Sequence, residues 1–165
     1  MAFCFLITVN TDPSNSAEPF QQELELQIPS DPIYVAAVRK LIEHVAQHRG
    51  FDEHAVTAIG LCLNEAVANI IRHAYSCQLQ KPIKITVEFA SGKTAIGVIR
   101  PNAIRISLRD WGGGLHPSQT QPDCPRDLLE PGGLGLICLN KLMDQVTFTP
   151  QADGMLLVLV KRVAV

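Results

Sequence analysis

The chain has 165 residues, of which 47% are hydrophobic and 18% charged, a balance that suits one domain with one sizeable core. Its formal net charge of −2, with no run of Lys or Arg, gives no basic field for a phosphate backbone and argues against direct nucleic-acid binding. Five cysteines form no C-x-x-C pair and are odd in number, which argues against a closed disulfide framework and for thiols in a reducing cytoplasm.

The opening MAFCFLITVN is apolar but lacks a basic start and a cleavage pattern, so it reads as a strand or an ordered arm. Residues 11–19 are polar and rich in Pro and Ser. Residues 1–20 are therefore taken as an N-terminal strand-like arm and linker, and residues 21–165 as the domain. Leu24, Leu26 and Ile28 alternate with Glu25 and Gln27 as in a half-buried strand. Ser30-Asp31-Pro32 opens a helix whose stripe, Val35, Val38, Leu41, Ile42 and Val45, runs to His48 before Gly50 ends it. A second helix starts near Asp52 and carries Val56, Ile59, Leu63, Val67, Ile70 and Ile71 to about Tyr75. Cys62 lies in its apolar pattern and reads as a buried thiol, as does Cys138 further on. No stretch reaches the roughly 18 uninterrupted apolar residues of a membrane span.

From Lys81 the period changes to two, with Ile83, Ile85, Val87 and Phe89 on one side of a strand. Ser91-Gly92-Lys93 reads as a turn, and Arg100-Pro101-Asn102 as a break ahead of a strand over 103–108. Residues 112–133 hold five glycines and four prolines without a period, the mark of a functional loop, here a lid. A short helix over 134–143 and two strands, 146–149 and 155–163, around Asp153-Gly154 complete the chain. Runs of strands beside segregated helices predict an α+β fold, a two-layer α/β sandwich with helices packed on one face of a mixed, mostly antiparallel sheet.

Three constellations carry chemistry. Glu65 and Asn69 are one helical turn apart, with Arg72 and His73 a turn further on. A carboxylate there can take a hydroxyl proton, an amide oxygen suits Mg²⁺, and a guanidinium or imidazole meets phosphate oxygens; a solvated helix edge has the same pattern. Asp110, ending a strand ahead of Trp111-Gly112-Gly113-Gly114, can accept a hydrogen bond from the exocyclic amine of adenine, or simply cap a glycine-rich turn. Gly132-Gly133-Leu134-Gly135 opens a helix whose N–H groups can cradle phosphates, yet it is neither a P-loop nor a dinucleotide fingerprint.

In this order the three motifs resemble the N, G1 and G2 boxes of the GHKL, or Bergerat-fold, ATPase/kinase superfamily. The nearest resemblance is to the anti-sigma-factor serine/threonine kinases. Leu63-Asn64-Glu65-Ala66-Val67-Ala68-Asn69-Ile70-Ile71-Arg72-His73-Ala74-Tyr75 and Gly133-Leu134-Gly135-Leu136-Ile137-Cys138 carry it, over residues 23–162. The resemblance implies a histidine-kinase-like ATPase fold and a single ATP-binding kinase domain. It implies that Glu65 activates a serine hydroxyl, that Asn69 coordinates Mg²⁺, and that Arg72 and His73 lie near the phosphates. Asp110 then reads adenine with Gly112 and Gly114 making room, while Gly133, Leu134 and Gly135 shape the lid. Implied ligands are ATP and Mg²⁺, and implied partners a sigma factor or an anti-sigma-factor antagonist, with a cytoplasmic homodimer as the expected form. A catalytically silent ATP-binding module that switches partner affinity is the alternative. A histidine kinase is disfavoured, because His44 and His48 sit on a helix the core needs. Gly154-Met155 departs from the family's Gly-Thr near the last strands, and Trp111 is expected to pack on the sheet.

Overall fold

A computed structural model of the protein describes residues 6–9, 20–93, 99–113 and 135–163. The alternating segments within it pair as one six-stranded sheet of β1 (Leu6–Val9), β2 (Phe20–Pro29), β3 (Pro82–Lys93), β4 (Ile99–Asp110), β5 (Gln145–Gln151) and β6 (Gly154–Arg162). The order is β1-β2-β3-β4-β6-β5, and every described pair is antiparallel, the limit of the mostly antiparallel sheet expected. β1 extends the sheet at its edge, with Leu6 opposite Gln27 and Val9 opposite Leu24.

Period-two patterning decides which sheet face meets the helices. Leu26, Ile28, Ile83, Ile85, Val87, Ile104, Ile106, Leu108 and Leu159 are all buried in the main core cluster, together with Ile42, Ile59, Leu63, Val67 and Ile71 of the helices. On the opposite face a small cluster of Ala90, Ala103 and Val160 packs with Phe20 and Val158. There Arg105 forms a two-pronged ion pair with Glu88, at 2.6 and 2.7 Å, and lies 4.4 Å over the Phe20 ring.

The helices begin and end where their capping residues stand. Asp31 caps a short 3₁₀ turn, Pro32–Tyr34, that leads into α1 (Val35–His48), and Gly50 at φ 90 follows its end. Asp52 caps α2 (Glu53–Asn69) by accepting the Ala55 amide at 2.7 Å. Continuous helix from Glu53 to Ala74 is long and apolar enough for a membrane span, but 61% of its most apolar window is buried in the fold, as in a core helix. α3 (Gly135–Leu142) packs on α2 through buried Leu139, and its C-terminal Leu142 carbonyl accepts from Lys161 at 2.9 Å.

Two expectations are corrected and one is refined. Ser91-Gly92-Lys93 is strand, with a register shift between Ala90 and Ser91, and Pro101 pairs with Ser91 instead of breaking β4. The irregularity supplies a position where the missing proline N–H costs no regular ladder bond. The second helix runs to Ala74, as expected, and widens at Ile70–Ala74 into a π-helical turn, closed by Tyr75 N–H to the Ile70 carbonyl at 3.0 Å. Finally, Cys77 is disulfide-bonded, while Cys62 and Cys138 are free thiols. An odd cysteine count still leaves room for a bridge, and parity alone does not reveal it.

Candidate functional site

The end of the α2 helix and the end of β4 meet in one seam. Glu65 and Asn69 lie half-buried on the last two turns of α2. Arg72, on the π-helical turn, places Nη2 3.7 Å from Glu65 Oε1 and directs Nε to the Ala68 carbonyl at 3.4 Å. Glu65 Oε1 is buried and accepts no hydrogen bond from the described residues. A buried carboxylate oxygen facing only a longer-range cation is available to a further donor. His73 is exposed on the same turn.

Asp110 ends β4 at 3% exposure, one of two buried polar or charged residues among those described. Its Oδ1 accepts the Gly112 amide at 2.9 Å. Burial pushes its carboxyl above the ordinary value of 3.8, opposed by the Gly112 amide, Arg109 and the Met155 amide. A carboxylate in this position is set to accept a hydrogen bond from a ligand donor. Met155 is the direct cross-strand partner of Asp110 and therefore faces the same side of the sheet.

A Cβ on Gly112 would lie 2.2 Å from the Ala74 carbonyl oxygen, so the glycine lets the turn after β4 sit against the helix end. Gly113 N–H donates to that same carbonyl at 3.3 Å. Gly154 closes the seam from the other side: its φ is 137 and a Cβ would come 2.1 Å from the Asp110 carbonyl oxygen. A cleft of about 430 Å³ opens between Gly112, Gly113 and the β5–β6 turn at Pro150–Met155. A larger groove, about 570 Å³, runs along α1 and α2 past Arg39, Glu43 and Leu61, away from these residues.

Glu65, Asn69 and Arg72 are thus gathered on one helix end, and Asp110 and Gly112 are held against the turn that follows it. Gly135 begins α3, while Gly114, Gly133 and Leu134 lie outside the described residues. Trp111 is 41% exposed and stacks on the Arg109 guanidinium at 4.9 Å, so it packs beside the sheet end without being buried. Sequence reasoning gave no role to Tyr75, whose hydroxyl joins this seam, or to Arg109, which pairs with Asp153 across the β5–β6 turn. The only sequence signal for Tyr75 was its place as the last residue of the helix motif.

A buried carboxylate thus ends a strand of a helix-backed antiparallel sheet, with the turn after it held against a helix end and opening onto a cleft. A model of the histidine kinase-like ATPase domain matches residues 28–161, and the chain belongs to that family. Among curated proteins the chain is similar to the serine-protein kinase RsbW of Bacillus pumilus, 28% identical over 130 residues that cover 74% of this chain and 75% of that one. It is also similar to RsbW of Oceanobacillus iheyensis, 27% identical over 142 residues, 81% of this chain and 83% of the relative. RsbW of Listeria innocua is 27% identical over 125 residues, 75% and 77% of the two chains. Among solved structures, the histidine kinase domain from the Erythrobacter litoralis EL346 blue-light activated histidine kinase aligns with a TM-score of 0.42 and 18% identity. That alignment covers 91% of this chain and 66%, just under two thirds, of the solved one.

Proposed function

We propose that this protein is an ATP-dependent protein-serine kinase that regulates transcription as an anti-sigma factor, phosphorylating a serine of an anti-sigma-factor antagonist. The observation that carries the reading is Glu65: a carboxylate with a buried oxygen that accepts no hydrogen bond from the described residues, one turn from Asn69 on a helix whose end meets the turn after Asp110. The curated relatives, which are serine-protein kinases, support the same activity.

Asp110 accepts the exocyclic amine of adenine, and the Asp110–Gly113 turn borders the base. Asn69 offers one neutral, hard oxygen to Mg²⁺. Such a magnesium is held mostly by phosphates and water. Arg72 neutralises phosphate charge from the helix end. When bound, Mg-ATP supplies the phosphoryl group. Glu65 takes the proton of the partner serine hydroxyl as the serine oxygen bonds to the γ-phosphorus and the bond from that phosphorus to the bridging oxygen breaks, leaving ADP. The cytoplasm as its place, and a sigma factor as a second partner, belong to this proposal.

The test is transfer of labelled γ-phosphate to an anti-sigma-factor antagonist by wild type and Glu65→Ala. The variant is expected to bind ATP normally and to lose about 10²- to 10⁴-fold in transfer rate, the range of a general base. Equal transfer by both proteins refutes the role of Glu65. Met155, which puts a thioether beside Asp110, favours a second reading, a silent ATP-dependent binder. In that case Glu65→Ala leaves every partner-linked effect intact while Asp110→Ala abolishes it.

A further inference from the structure

Tyr75 stands where the two motif-bearing elements meet, and the reaction described above does not use it. Its ring is buried in the main core, at the end of the helix that carries Glu65 and Asn69. Its hydroxyl donates to the carbonyl of Pro82, the first residue of β3, at 2.5 Å, and accepts the amide of Trp111, the first residue beyond β4, at 2.8 Å. Three separate segments therefore share one phenol oxygen. Burial pushes its phenol further above the ordinary 10.0, so the hydroxyl donates to Pro82 well beyond neutral pH.

The turn it holds is the one that fixes Asp110. Trp111 N–H goes to Tyr75, Gly112 N–H to Asp110 Oδ1, and Gly113 N–H to the Ala74 carbonyl, the last being the longest at 3.3 Å. Without the phenol oxygen, Trp111 N–H loses its partner and only the long bond from Gly113 ties the turn to the helix. One partner would satisfy a buried phenol of the core; this one holds two, on separate segments, and one of them is the turn beside Asp110.

We propose that Tyr75 is a positioning residue for base recognition: its hydroxyl sets the 111–113 turn and, through the Gly112 amide, the orientation of the Asp110 carboxylate. It acts on selection of a 6-amino purine and not on phosphoryl transfer. This rests on the reading of Asp110 as the acceptor for the exocyclic amine.

The test compares wild type, Tyr75→Phe, Asp110→Asn and the double variant. Each is titrated with Mg-ATP and with the triphosphate of purine riboside, which lacks only the 6-amino group, using the fluorescence of the single tryptophan, Trp111. Wild type is expected to prefer ATP, and Tyr75→Phe to lose about three- to tenfold of that preference, the worth of one hydrogen bond. Turnover at saturating ATP should change by less than about twofold, and Tyr75→Phe should have no further effect in the Asp110→Asn background. A Tyr75→Phe protein that melts earlier but keeps the wild-type preference overturns the proposal and leaves the ATP reading standing. A wild type that does not distinguish the two nucleotides overturns the role of Asp110 and this proposal with it. Should Tyr75→Phe not fold, 3-fluorotyrosine at both tyrosines of the chain weakens the phenol as an acceptor without changing its shape. The preference is then expected to fall, and an unchanged preference overturns the proposal.

Discussion

Gly112→Ala isolates one steric demand. The added Cβ would lie 2.2 Å from the Ala74 oxygen, 2.6 Å from its carbonyl carbon and 2.8 Å from its Cβ, all atoms of a helix end that cannot swing aside. To restore ordinary contact the turn must withdraw by roughly 1 Å, which also stretches the Gly113 bond to that carbonyl. Overpacking of this kind costs about 1–3 kcal/mol, and the lost hydrogen bond about 1 kcal/mol more. For a chain of this size a total of about 2–4 kcal/mol lowers the melting temperature by about 5–15 °C. Gly60→Ala is the control: its Cβ would meet Glu43 Oε1 at 2.0 Å, but that atom ends a flexible side chain whose pairs with Arg39 and Lys40 lie toward the surface and can shift, and alanine favours the helix. Thermal melts with and without Mg-ATP should show Gly60→Ala within about 1 kcal/mol of wild type and Gly112→Ala well below it, with a weakened nucleotide response. If Gly112→Ala melts no lower than Gly60→Ala, the close approach of turn and helix is not what the glycine is for.

Asp110 and Cys62 give two more expectations. Because burial raises the folded pKa of Asp110 above 3.8, its contribution to stability is present below that value and is lost as pH rises through the folded pKa. Asp110→Asn should therefore melt higher than wild type at pH 7 without ligand, with the gap closing in acid, while the stabilisation by Mg-ATP disappears. A lower melting point for the variant at pH 7 contradicts the sign. The Cys62 thiol is pushed up to about 12, first by burial, so native protein treated with iodoacetamide at pH 8 should carry no label there until it is unfolded. Peptide mapping that finds Cys62 labelled at the rate of a free cysteine would show that the α2–α3 seam opens readily.

Much of the fold could be read from periodicity because the sheet has one wet and one buried face. Ile83 to Phe89 and Leu24 to Ile28 sit as their alternation requires, and Asp52 and Gly50 bound their helices as their chemistry predicts. Pro101 misled because a proline's effect depends on whether its N–H faces a ladder bond, and the register shift beside Ser91 is a pairing property invisible along one strand. The site was legible as a set of motifs, but their mutual contacts were not. Gly112 serves a backbone carbonyl 38 residues earlier in the chain, and Gly154 serves the carbonyl of Asp110; such contacts arise only when the chain is folded. Tyr75 escaped for the same reason, since a buried aromatic at a helix end carries no sign that its hydroxyl spans two strands.

The widened turn at Ile70–Ala74 changes the angular phase of the helix partway along its length. A helical wheel drawn from Glu53 to Tyr75 with one constant step rotates everything after Asn69 too far, so it mispoints Arg72 relative to Glu65 and Tyr75 relative to the sheet. The extra residue changes the angle between the direction of Glu65 and Asn69 and that of Tyr75 on one continuous rod. Deleting a single residue there would restore an even pitch and turn the phenol away from Pro82 and Trp111, so a one-residue gap in this stretch is a change of aim more than of length.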